Sequence, residues 1–422
     1  MQPRILSLIV ALGAAGAATA VADDGELASG AGTSDTVASI DEAQFLARLA
    51  LVDPRLERLA ADVDRARAEV VAAGVRAEPV IAIDREEVFP DRGVATNYAR
   101  LTWPLDVSGR RRRRIAAAHS TVAAAQADAD RARVEIVIDA LRVFYDAAHA
   151  RLHVDALRTE RETLVRVVEI VRKRAGAGAA SGYDVQRFEL ALTAYDDLLT
   201  SAETRLFAAR TEVAALLGRP DELVDAAASL GVPARPPTLA SLVSTALDGR
   251  DDLRAARLRG DSADQLAAEA ARAWIPGLGL SAGVMSQDVG ADTAIGYTVG
   301  LAIALPIFDR GRAAGARARA ARRTADADAR VIAVKVPAAL RATHVALERR
   351  IAQAELFATA QLSRLEALLR AAETGYREGD RSVVELLDAY QTARDTRLRD
   401  LELRRDARTA ELDLWLVLGR RP

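Results

Sequence analysis

Arg381, Glu385 and Asp388 fall at i, i+4 and i+7, so a helix would carry all three on one face. Carboxylates in that arrangement can attract cations. An Arg–Glu pair one turn apart also occurs on ordinary solvated helix faces, where it contributes roughly a few tenths of a kcal/mol. The spacing alone leaves both readings open. His149 and His153 stand at i, i+4, the spacing of a helical metal pair, with no obvious third histidine or carboxylate to complete a ligand set. The five consecutive arginines from Arg110 to Arg114 lack interleaved aromatic residues and read as a charge band rather than a nucleic-acid site. No nucleophile motif, glycine-rich phosphate loop or metal cluster stands out. The absence of cysteine removes thiol catalysis and cysteine metal sites, and Met285, the only methionine after Met1, offers no thioether path for soft metals. The chain is expected to be no enzyme and to use no cofactor and no metal.

The elements that would position these residues follow from composition and period. Hydrophobic residues make up 50% of the 422 but aromatics only 4%, so Ala, Val and Leu dominate, as in long packed helices. With 58 basic and 60 acidic residues the net charge is −2, which gives nucleic acid no electrostatic attraction. Nearly all the basic residues are arginine, with Lys173 and Lys335 the exceptions. At the start, Arg4, an apolar stretch over residues 5–17 and the small-residue site Ala20-Val21-Ala22 before Asp23 read as a secretory signal peptide over 1–22. A flexible segment over 23–39 follows.

The remainder repeats itself. Asp53-Pro54-Arg55-Leu56 is echoed by Arg250-Asp251-Asp252-Leu253. Trp103-Pro104-Leu105 with Gly109-Arg110 returns as Leu305-Pro306-Ile307 with Gly311-Arg312. Leu217-Gly218-Arg219 returns as Leu418-Gly419-Arg420. The offset is nearly constant at roughly 200 residues, the sign of a duplicated unit. The two copies are expected over 40–230 and 239–422, joined by a Pro-rich linker over 231–238. Each unit reads helix, hairpin, long helix, tight turn, long helix. In the first, one helix is expected over about 41–77 and a long one over about 110–174. In the second, Leu362, Leu365, Leu369, Ala372 and Tyr376 form a coiled-coil seam, and Pro337 is expected to kink or break its helix.

The hairpins have period two. Ile295, Tyr297, Val299, Leu301, Ile303 and Leu305 alternate with small residues, and Leu278, Leu280, Ala282 and Val284 alternate with Gly277, Gly279, Ser281 and Gly283, across a turn containing Gly290 and Asp292. In the first unit Ile81, Ile83, Leu101, Trp103 and Leu105 match them, while Arg85, Glu87 and Asn97 would share their outward face. Four strands cannot close a barrel alone, and no second layer is available to cover the apolar face. With Trp103, Trp274 and Phe308 at one end, the pattern fits a membrane barrel with an aromatic girdle. Open edges are not tolerated in lipid, so the strands must close with those of other copies.

These residues resemble the TolC family of outer-membrane efflux and export channels over about residues 40–418. The most specific segments are Leu305-Pro306-Ile307-Phe308-Asp309-Arg310-Gly311-Arg312 and the run from Tyr376 through Gly379-Asp380-Arg381-Ser382 to Ala389. The arginine run after Ser108-Gly109 is similar to the cation-efflux branch. The resemblance implies a mixed α/β membrane protein of long helical coiled coils and four β-strands per chain. Three chains would form a homotrimeric, twelve-stranded barrel in outer-membrane lipid, continued by a helical tunnel through the periplasm. It also implies docking on a periplasmic adaptor (a membrane fusion protein) and an inner-membrane pump. Glu385 and Asp388 would then form an acidic ring at the tunnel's inner end. Asp184 and Tyr376 would link the two helical hairpins there, with Arg381 as cationic partner. Gly178, Ser181, Gly379, Asp380 and Ser382 would form the adaptor-docking tips, and the face from Ile295 to Leu305 would meet lipid. An outer duct of a type I protein-secretion system shares this architecture. A periplasmic coiled-coil scaffold would explain the heptads but leaves the alternating strands without a role.

Overall fold

The computed structural model describes residues 37–87, 94–289 and 292–420. The expected signal peptide, the segment after it as far as Thr36, and Gly290 lie outside the described residues. In chain order the elements are β1 (Ala38–Ile40), α1 (Glu42–Val52), α2 (Pro54–Gly74), β2 (Val80–Glu87), β3 (Val94–Leu105), α3 (Arg110–Gly176), α4 (Gly182–Leu216) and β4 (Val224–Ala226). Then come α5 (Leu239–Gly249), α6 (Asp251–Ala270), β5 (Gly277–Val289), β6 (Asp292–Ala304), α7 (Arg312–Phe357), a π-helical stretch (Ala358–Leu362), α8 (Ser363–Glu378) and α9 (Val383–Leu418).

The first expected helix is two helices. Asp53 is extended (φ −73°, ψ 114°) because the ring of Pro54 disfavours the helical region for the residue before it. Pro54 then opens α2 at a position that needs no N–H, and the Asp53 carboxylate caps it by accepting from the Arg55 amide at 2.8 Å. The second unit breaks at the corresponding place, where Arg250 is extended between α5 and α6. No break occurs at Pro337: α7 runs through it. Val336 and Leu340 on either side are buried in one cluster with α5 and α9, and that packing offsets a loss of about 3 kcal/mol for an interior proline. The irregularity comes 21 residues on, as the π-helical stretch that separates α7 from α8. Leu362 of the expected seam lies in it and is only partly buried, whereas Leu365, Ala372 and Tyr376 are buried.

α3 is 67 residues, about 100 Å at 1.5 Å per residue. A helix of that length needs side-by-side partners. Beside the sheet, α2 packs on α3, α3 on α6 and α6 on α7. Further along, α4 packs on α3, α3 on α9, and α9 on α7 and α8. Midway, β1 pairs in parallel with β4, and the stacked rings of Phe45 and Phe144, 5.0 Å apart, sit in the core beneath. The turns into α3 and α7 have the same form, with Gly109 and Gly311 left-handed at the N-cap (φ 67° and 80°). At Gly311 a Cβ would lie 2.2 Å from the Ala270 carbonyl oxygen, so only glycine lets α7 start this close to the end of α6.

The four long strands form one antiparallel sheet of order β2-β3-β5-β6. Register places Ile83, Ala99, Val284 and Tyr297 in one row, Ile81, Leu101, Ala282 and Val299 in the next, and Trp103, Leu280 and Leu301 beyond. Because rows two residues apart share a face, all these side chains project to one side. Arg85, Asn97 and Ser286 continue that face toward the hairpin ends and form a weak polar ladder of 3.4 and 3.5 Å. β2 and β6 are the free edges, and they run in opposite directions.

Candidate functional site

At the end of the molecule far from the sheet, two helical hairpins turn through matching motifs. α3 ends with Gly178 left-handed (φ 77°), its amide and that of Ala179 closing on the carbonyls of Ala175 and Arg174. α8 ends with Gly379 left-handed (φ 85°), its amide and that of Asp380 closing on Tyr376 and Gly375. Glycine is required at both because the bonds that satisfy the last helical carbonyls demand a positive φ. Ser181 and Ser382 then cap α4 and α9, each answered three residues on by an acid, Asp184 or Glu385, that accepts from the serine amide. The two tips are exposed at Gly178, Ser181, Gly379, Asp380 and Ser382.

The structure brings some of the expected gate residues together and keeps others apart. Only Glu385 and Asp388 lie on the exposed face of α9; Arg381 precedes the Ser382 N-cap, in the turn rather than on the helix as the spacing suggested, and reaches Glu385 at 3.7 Å from there. Bonds from the Ser382 amide and hydroxyl hold the Glu385 carboxyl below its ordinary range, so it stays ionised to lower pH than a free glutamate. Val383, Leu386, Leu387 and Tyr390 on the other face are buried against α3, α4 and α8. The carboxylate of Asp184 is taken up by its own capping box, at 2.9 Å from the Ser181 amide. Tyr376 is buried and its hydroxyl has no hydrogen-bond partner. Within the chain, therefore, neither Tyr376 nor Arg381 bonds Asp184.

Sequence reasoning missed the residue that spans the two hairpins at their tips. Arg174, in the last turn of α3, donates from Nη1 to the carbonyls of Tyr376 at 2.9 Å and Arg377 at 3.0 Å, and its guanidinium lies 4.8 Å from the Tyr376 ring centroid. A basic residue there reads in sequence as a partner for its own helix terminus. Farther from the tip, Arg394 of α9 lies 4.9 Å from the Tyr195 ring of α4, and Arg397 of α9 pairs with the buried Glu160 of α3.

His149 and His153 lie in the interior of α3 with ring centroids 5.8 Å apart. Among the described residues no group of three or more histidines and carboxylates could hold a metal ion, so the pair gains no third ligand. Burial above all, then the positive Arg405 and His153, pushes the His149 imidazole down to about 4, while Glu402 and Asp406 pull weakly the other way. The unfolded chain would take a proton near pH 6.5. Native stability is therefore complete above that pH and is lost as pH falls toward 4, by at most about 3 kcal/mol per chain. Thermal melting at pH 7 and pH 4.5 checks this: the wild type should lose more on acidification than His149→Leu.

On the sheet, Ile295, Tyr297, Val299, Leu301, Ile303 and the adjoining Leu305 are all exposed, with Tyr297 84% and Val299 73% accessible. Trp103, Trp274 and Phe308 are exposed near the end of the sheet that joins the helices. Of the run Arg110–Arg114, three members tie α3 to its neighbours: Arg110 to Glu269, Arg111 to the Gly74 carbonyl and Arg113 to Gln265. No described helix is long and apolar enough to cross a membrane.

Comparison with known proteins places these features in context. Residues 242–420 match the sequence family described as outer membrane efflux protein. The chain is 24% identical over 371 residues to the cobalt-zinc-cadmium resistance protein CzcC of Cupriavidus metallidurans, covering 86% of each chain. It is 28% identical over 223 residues to the fusaric acid resistance protein FusA of Burkholderia cepacia, a match to 50% of this chain and 42% of that one. Its fold is shared with the outer membrane protein VceC from Vibrio cholerae at a TM-score of 0.69 and 21% identity, covering 90% of this chain and 96% of the other.

Proposed function

We propose that this chain, whose residues 242–420 match the outer membrane efflux family, is the passive outer-membrane conduit of a tripartite system, closed as a homotrimer and performing no bond-making chemistry. The observation that carries this reading is the sheet: one exposed apolar face, and two free edges that run antiparallel to each other. An edge β6 can pair with β2 of another copy in the same antiparallel sense that joins the other strands, so three copies give a closed barrel of twelve. From Ile295 to Leu305 the apolar face extends about 33 Å along the strand, or roughly 25 Å at the usual barrel tilt, the height of an outer-membrane apolar band. The helical layer ends similarly in unpaired flanks, where Val71 of α2 and Val331 and Val334 of α7 are exposed. Closure would cover them. We read 40–230 and 239–422 as the two copies of one unit that together supply each third of the ring.

In this reading the tips at Gly178–Ser181 and Gly379–Ser382 face a periplasmic adaptor, which connects the conduit to an inner-membrane pump of the RND class. The relatives' names concern metal cations and an organic acid, and the cargo is placed in those two classes, cations or small molecules. Glu385 and Asp388 of three chains converge on the axis as an acidic ring that selects cations. Because Glu385 also caps α9, its charge should be removed without its acceptor: Gln can still serve the capping box. Glu385→Gln with Asp388→Asn is expected to abolish block by multivalent cations and weaken cation preference in planar-bilayer recordings, with the trimer intact. Wild-type selectivity and block in the double variant would make the pair an ordinary solvated face.

A further inference from the structure

We infer that Arg174 is a positioning residue, an intrachain latch that fixes the tip of the α3–α4 hairpin to the end of α8 and thereby sets the width of the inner pore. The inference rests on the conduit reading above.

The last carbonyls of a helix have no intrahelical partner and carry its partial negative charge. Arg174 brings a full positive charge from a different hairpin to the carbonyls of Tyr376 and Arg377 at 2.9 and 3.0 Å. The same guanidinium lies over the Tyr376 ring, an attraction that strengthens where water is displaced. Water is displaced here: Tyr376 is buried, and Arg174 Nε is itself closed to solvent.

Other groups at the tip are committed elsewhere. Asp184 serves its own helix cap, and Arg381, in the turn before α9, pairs with Glu385 in the first turn of that helix. The Tyr376 hydroxyl bonds nothing, so Tyr376 contributes a ring and a carbonyl, not an O–H. The duplicated unit breaks its symmetry at this point. Gly375 occupies the place corresponding to Arg174, and the Arg381 side chain lies over it, with Cδ 2.8 Å from where a Cβ would be. At the tips this tie runs from the first hairpin to the second, whereas farther along Arg394 and Arg397 of α9 reach back to Tyr195 and Glu160.

The latch predicts a pattern across variants that a general loss of stability would not give. In planar bilayers Arg174→Ala should raise resting conductance several-fold. Arg174→Lys, which keeps a cation and donors, should restore part of the closure, and Tyr376→Phe should behave as wild type. The native chain has no cysteine, so spin labels at Ala179→Cys and Asp380→Cys report tip separation directly. That distance should lengthen and broaden in Arg174→Ala, or in Arg174→Gln if the alanine variant fails to assemble, and should stay unchanged in Tyr376→Phe. An unchanged tip distance after loss of the arginine, or opening in Tyr376→Phe equal to that of Arg174→Ala, would overturn the latch. A wild-type protein that conducts no ions contradicts the conduit reading instead, and the spin-label distance still decides the latch.

Discussion

Val299→Arg is expected to prevent assembly in the outer membrane. Val299 lies in the middle of the exposed face of β6, between Tyr297 and Leu301 and across from Ala282. If that face meets hydrocarbon, an arginine there costs about 2–4 kcal/mol in each chain, repeated around the barrel. Thr298→Arg is the internal control, one residue away on the opposite face of the same strand. In a water-filled lumen that charge is tolerated and alters only ion selectivity. Density-gradient fractionation of membranes distinguishes the outcomes: Thr298→Arg in the outer-membrane fraction, Val299→Arg absent from it. Equal recovery of both would mean that the face does not meet lipid.

Arg397→Ala should cause the largest loss of stability in the helical region. The Glu160 side chain is 3% exposed and is paired by Arg397 across the α3–α9 contact, while Arg397 itself is 40% exposed. Removing the arginine leaves a buried carboxylate without its counter-charge, which costs about 3–5 kcal/mol, here toward the lower end because water reaches the arginine side. Replacing both partners, Glu160→Leu with Arg397→Met, removes the uncompensated charge and should recover most of the loss. Urea midpoints of the single and double variants measure the difference. A single variant as stable as wild type would show that Glu160 finds water or another cation when Arg397 is gone.

The sequence made much of the fold legible, but mainly where one local signal decided the outcome. Period-two alternation located the four long strands, and tertiary pairing only fixed their register; the three-residue β1 and β4 are too short to alternate visibly, so the pairing of Ala38–Ile40, partly inside the segment expected to be flexible, with Val224–Ala226 is not legible in the sequence. The left-handed glycines and the serines after them marked both tips because glycine takes a positive φ without strain and serine is among the residues that best cap a following helix. α3 extends two residues past its expected end, to Gly176. Misreadings came where local and tertiary terms compete. One helix over 41–77 overlooked Pro54, which would sit in its interior; the ring disfavours helical backbone at Asp53, and proline fits only as the first residue of a new helix. Pro337 looks disruptive, and burial of its neighbours decides otherwise. Arg174 is illegible for a different reason: its partners are backbone carbonyls about 200 residues away, which leave no pattern in side-chain spacing. The same holds for the pairing of Arg397 with Glu160.

The mass of the particle extracted from the outer-membrane fraction in mild detergent tests the closure of the sheet most directly. On the proposed reading the two antiparallel free edges of the four-stranded sheet pair with those of other copies, and three chains per particle is the expected result. A single chain per particle, recovered from the soluble periplasm without detergent, would contradict it.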